Sequence, residues 1–194
     1  MTTRSGSFDH RTKHFWLVLS MAMPPLVTKA ECAATAPALD LLEAMIQSEM
    51  TAREALVTMR RHAQDWRNLL LRGSDAQMRQ TMQSRFDSQA ASYVMQLGNL
   101  RKQLHVLGES PRRLDILDQE KIQLFGKYRQ ALATHGVNTL EASFQADRSV
   151  QVADIKTLCT LEETIEVRAT NHRGQFQTVR KLLKKCPTSS APSS

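Results

Sequence analysis

The sequence predicts an all-α protein, an antiparallel up-down-up-down four-helix bundle, on three observations. Between Ala38 and Cys186 there is one proline, Pro111, and so few breakers over so long a stretch favour long helices. Apolar residues there recur at alternating spacings of three and four, the pattern of one buried stripe per helix. The stripes break at short segments holding Gly73, Gly108 and Gly136, and short loops between long amphipathic helices make successive helices antiparallel. No period-two alternation with hairpin turns occurs, so strands are not predicted.

The first seam runs through Ala38, Leu42, Met45, Ala52, Leu56, Met59, Ala63, Trp66 and Leu70, with Glu49 as its one intruder. Trp66 is therefore read as a core residue. Gly73 ends this helix, and Ser74 with Gln77 three residues on predicts a capping box for the next. The second seam runs from Met78 and Met82 through Phe86, Ala90, Tyr93, Leu97, Leu100 and Leu104 to Leu107. Gly108 closes it, and Ser110-Pro111 opens the third helix, since proline suits the first helical position.

The third seam holds Leu114, Leu117, Leu124, Tyr128 and Ala131, with Lys121 at one step. Thr134 to Asn138 reads as a turn, and Asn138 followed by Glu141 as a helix start. In the last segment Leu158, Leu161, Ile165, His172, Phe176, Val179 and Leu183 keep a seam. The spacing from Ser143 to Asp154 is irregular and predicts a kink or loop.

The first 36 residues read as a targeting segment. A basic lead (Arg4, Arg11, Lys13) precedes an apolar run from Phe15 to Val27 and then Ala34-Thr35-Ala36, the three-part pattern of a secretory signal. The run, broken by Pro24-Pro25, is shorter than the roughly 20 residues that span a bilayer. The expectation is a periplasmic protein freed by cleavage after Ala36, or one held at the inner membrane by a short N-terminal anchor. Residues 186–194, rich in Ser and Pro, are expected to be a disordered tail.

The formal charge is +7, but both signs are interspersed and no run of five or six like charges occurs, which describes a solvated helical surface. Nucleic-acid binding calls for basic residues interleaved with aromatics on one face. Here half of the ten aromatics fall in the seams, and nucleic acid is not expected as a partner. Cys159 and Cys186 lie on one predicted helix, about 40 Å apart at 1.5 Å per residue, so they are expected to be unpaired.

The chemistry of an enzyme is not visible. There is no GxSxG, HExxH, Walker loop or dinucleotide fingerprint, no CxxCH, and no repeated Glu-x-x-His for a di-iron bundle. The six histidines are scattered. No cofactor and no metal are expected, and the methionines on the seams read as gap-filling core.

The stretch HAQDWRNLLLRGSDAQMRQTMQSRFDSQAASYVMQL, from His62, resembles the extracytoplasmic sensor domain of bacterial methyl-accepting chemotaxis receptors. There a helix carries a Gln/Glu-Trp-Lys-Asn-x-Leu-Leu-Arg-Gly-x-Asp type motif and turns into a second helix with a Phe. The corresponding residues are Trp66, Asn68, Gly73 and Asp75, with Asp65, Arg67, Leu70, Leu71, Arg72 and Phe86 around them. ADRSVQVADIK, Ala146 to Lys156, is similar to a later family stretch at Asp147, Val150 and Asp154. Val152 and Ile155 stand where the family has glycine and arginine. The resemblance extends over residues 40–170.

What the resemblance implies is a periplasmic four-helix sensor, here residues 37–185, that binds a small ligand and passes a helix displacement inward. Family receptors flank this domain with two membrane spans and add a cytoplasmic signalling hairpin. This chain shows a proline-broken apolar stretch and a Ser/Pro tail instead, so it reads as a truncated relative, a soluble periplasmic binding partner or a decayed gene, with a membrane receptor or a second copy in a homodimer as the expected partner. Small organic acids suit arginines that clamp carboxylates bidentately, and Arg67, Arg72 and Arg148 are the candidates. The rival readings are a structural or chaperone-like periplasmic helical protein and a basic helical nucleic-acid binder.

Overall fold

The structure, a computed structural model, describes residues 35–185. The targeting segment, but for its last two residues, and the tail 186–194 lie outside the described residues. Four helices follow in order: α1 Thr35–Arg72, α2 Ala76–Val106, α3 Arg112–His135 and α4 Leu140–Lys185. There is no strand among the described residues, and the architecture is the expected all-α, up-down-up-down four-helix bundle. α1 packs along α2 and along α4, α3 packs along α4, and the backbones of α2 and α3 approach only sparsely. No helix among the described residues is long and apolar enough to cross a membrane.

The seams become the core. Met45, Met59 and Trp66 of α1, Tyr93 and Leu100 of α2, and Leu117, Leu124 and Tyr128 of α3 are all buried. Trp66 lies against Tyr128 at 4.8 Å between ring centroids, and Phe86 meets Tyr128 edge-on at 5.1 Å. Of the leucine run, Leu69 and Leu70 are inside, while Leu71 is 68% exposed. Met78, placed in the second seam by its spacing, is exposed at the first turn. Leu107 ends α2 as its C-terminal cap and is half-buried.

The turns differ from expectation in their caps. Asp75, not Ser74, caps α2: its backbone is extended, and its carboxylate accepts the Met78 N–H at 2.7 Å. Pro111 sits just before α3 and makes no cap itself, while Ser110 Oγ accepts the Arg112 N–H at 3.4 Å. At the third turn Thr139 Oγ1 accepts the Ala142 N–H at 3.1 Å, so Thr139 rather than Asn138 does the capping. Asn138 instead accepts from Arg79, whose Nε also donates to the Gly73 carbonyl at 2.5 Å.

Arg79 thereby ties the first turn to the third, and Gly73 makes the fit between them. A Cβ at Gly73 would lie 2.5 Å from the Leu69 carbonyl oxygen and 2.7 Å from Val137 Cγ2. Gly136 has a φ of 70°, the left-handed region that glycine enters without strain.

α4 overturns one expectation outright. Ser143 to Asp154 neither kinks nor loops; it is continuous helix. From Ser143 to His172 its buried positions are Ser143, Ala146, Val150, Asp154, Thr157, Leu161, Thr164, Arg168 and His172. These keep the three-four spacing without a gap, but most of them are polar, so a search for apolar letters misses the stripe. Leu158 and Ile165 only flank it, and the side chain of Leu183 lies outside the described residues. Cys159 is a free, exposed thiol; Cys186 lies outside the described residues.

Candidate functional site

Arg67 and Leu70 from α1 face Ser143 and Asp147 from α4 across a cavity of about 170 Å³. It lies where α1 ends and α4 begins. Leu71, Leu140 and Phe144 complete its apolar lining, and all three are exposed. A void of about 150 Å³ is enough to hold benzene, so the space suits a molecule of a few heavy atoms. Ser143 Oγ donates to the Leu70 carbonyl at 2.8 Å, supplying a partner to one of the four terminal carbonyls that a helix cannot satisfy itself.

The charge at this cavity is balanced. Arg67 is a cation on its wall without an ion pair among the described residues, and Asp147 is an anion on the same wall. Behind them Asp154 is buried on α4 with no hydrogen-bond partner for Oδ1. Burial pushes its carboxyl above the ordinary range, Asp147 adds to this, and Tyr128 and Arg67 oppose it. The buried Tyr128 hydroxyl is likewise pushed up, first by burial and then by the charge of Asp154. The arrangement can hold a small molecule with an apolar body and a carboxylate facing Arg67. The lining contains no histidine or cysteine, and its one hydroxyl, Ser143, is engaged.

Of the three arginines singled out by the sequence, Arg67 lines this cavity and the other two do not. Arg72 and Arg148 are exposed on α1 and α4, without ion pairs among the described residues, and do not join Arg67 in a clamp. The motif residues prove to be parts of the fold: Trp66 is core, Asn68 is half-buried, Gly73 seats the turn and Asp75 caps α2. In the second motif the matching Val150 and Asp154 are buried and Asp147 half-buried, while the departing Val152 and Ile155 are exposed.

Sequence reasoning missed two buried polar layers. In the upper one His62 is fully buried, stacked on Phe86 at 4.0 Å, with both ring nitrogens unpartnered. Burial pushes its pKa down to about 4, so the ring is neutral at pH 7. In the lower layer His172 Nδ1 meets Glu49 at 2.9 Å and Nε2 meets Glu109 at 2.7 Å. A neutral imidazole donates from one nitrogen only, so two carboxylate partners call for the imidazolium or one protonated carboxyl. Beside it Arg168 Nη2 donates to Ser48 Oγ at 2.5 Å and lies 3.7 Å from Glu109. The available signal was Glu49 as the intruder in the first seam and His172 in the last, two polar residues on facing stripes.

Among the described residues no cluster of three or more His, Cys, Asp or Glu side chains is arranged to hold a metal ion. The chain matches no known family, no curated protein and no solved structure.

Proposed function

We propose that the chain is a non-enzymatic, chemoreceptor-like sensor domain that binds a small molecule in the periplasm and reports it as a displacement of α4 against α1. One observation supports this above the others: the cavity beside Arg67 is walled by α1 and α4 alone. Those same two helices run past the α2–α3 turn. His172 meets both Glu49 of α1 and Glu109 of that turn, leaving about 20 Å of each helix beyond this level at 1.5 Å per residue.

A ligand that favours one packing of α1 on α4 shifts that equilibrium by its differential affinity. A slide of about an ångström or two at the cavity is then delivered to the far end of the same pair. There a membrane receptor partner or a second copy of the chain receives it. The ligand is a small carboxylate, an organic acid or an amino acid, with Arg67 on the carboxylate and Leu70, Leu140 and Phe144 against its hydrocarbon.

A thermal-shift screen of the purified chain against organic acids and amino acids tests this. A ligand at 100 times its dissociation constant adds about 2.7 kcal/mol of stability. The expected result is a hit whose shift disappears in Arg67→Ala. A folded sample that no compound shifts, or a hit indifferent to Arg67→Ala, overturns the reading.

A further inference from the structure

At the opposite end of the bundle a larger cavity, of about 480 Å³, opens between the α2–α3 turn and α4, within the size range of small-molecule sites. We infer that it is a second binding site, for a small molecule bearing an oxyanion, a carboxylate or a phosphate, and that Arg168 and Arg112 hold that group. This site is independent of the cavity beside Arg67.

Arg168 lines the cavity and is only 5% exposed. Its Nη2 is used by Ser48, but Nε and Nη1 have no hydrogen-bond partner. A guanidinium offers five N–H donors in a planar fork, and a buried cation left short of acceptors is strongly unfavourable. Burial accordingly lowers its proton affinity, with Glu109 and Glu49 opposing that effect. The nearest carboxylate, Glu109, is already held by His172 and comes no closer than 3.7 Å. Nε and Nη1 are closed off from the cavity as the side chain stands, so an oxyanion there supplies their missing acceptors when the guanidinium turns toward it.

The rest of the wall fits the same occupant. Arg112 and Arg113 open α3 at the cavity; Ser110 Oγ takes only the Arg112 N–H, at 3.4 Å, and the positive dipole end of the helix favours an anion. Arg113 faces Glu163 at 3.5 Å, whereas Arg112 has no ion pair among the described residues. Asn171 and Gln175 of α4 add neutral hydrogen-bonding groups. Three arginines against the single carboxylate of Glu109 leave the lining cationic, unlike the balanced Arg67–Asp147 wall. Occupancy would draw α4 to the α2–α3 turn beside the layer that carries Glu49 of α1.

Calorimetric titration of the full chain with inorganic phosphate and, separately, with succinate, both at constant ionic strength set by sodium chloride, tests the site. Saturable binding of either anion that depends on Arg112 is expected, and the anion preferred at that site identifies the group as phosphate or carboxylate. Arg112→Gln, an exposed change that leaves the core intact, should weaken binding about tenfold or more. Arg168→Lys keeps the charge, loses the fork and should do the same. No saturable binding by the folded chain, or binding indifferent to Arg112→Gln, overturns the proposal.

Discussion

At the scale of single residues, His62 governs the acid response of the core. It is fully buried with both ring nitrogens unpartnered, and its pKa falls from 6.5 to about 4 on folding. The unfolded chain therefore binds a proton near pH 6.5 that the folded chain refuses until about pH 4. The stability this linkage gives is complete above pH 6.5 and is lost as pH falls from there toward 4. At 1.36 kcal/mol per unit of pKa, the loss is about 3 kcal/mol. His62→Leu should flatten the fall in urea-unfolding free energy between pH 7 and pH 4 by about that amount. Equal slopes in the two proteins would show that the buried imidazole does not set the acid limit.

At the scale of elements, the first turn is set by two short-range devices that the sequence carries openly. Asp75 accepts the Met78 N–H, and losing such a cap costs about 1 kcal/mol. Gly73 admits Val137 from the neighbouring turn, and overpacking there costs about 1–3 kcal/mol. Asp75→Ala and Gly73→Ala should each lower the urea midpoint without changing the slope of the transition. Asp75→Asn, which keeps an accepting oxygen, should recover most of the first loss. A Gly73→Ala protein as stable as the parent would mean that the two turns separate in solution.

Helix identity was legible here because three-four spacing, glycine and scarce proline are local signals. Cap identity was not. Ser74 and Asp75 are both competent caps, and one residue of helical phase decides between them. The same limit hid the stripe of α4. Ser143, Arg168 and His172 occupy inward positions because groups far away in the chain accept them, Leu70 for Ser143, Ser48 for Arg168, and Glu49 and Glu109 for His172. Nothing near them in the chain announces those partners.

At the scale of the whole molecule, α1 and α4 outrun the α2–α3 hairpin. Their distal portions lack the two further helices that bury Tyr93, Leu117 and Tyr128 in the body. Among the described side chains, Met45 and Val179 are the buried apolar residues there. Local opening follows buried apolar contact, so amides in α1 before Met45 and in α4 beyond Val179 should exchange hydrogen well before those around Trp66. Uniform protection along both helices would mean that something more than this one chain covers them.

The sequence by itself determined that four amphipathic helices form, where they reverse, and that Trp66 is inside. Those outcomes follow from periodicity and turn chemistry, which act within a few residues. The tertiary structure alone decided which arginine meets a cavity, which charges are buried, and which polar side chains find partners about 60 to 120 positions away. Burial and pairing depend on distances across the bundle, and only the packed helices fix those distances.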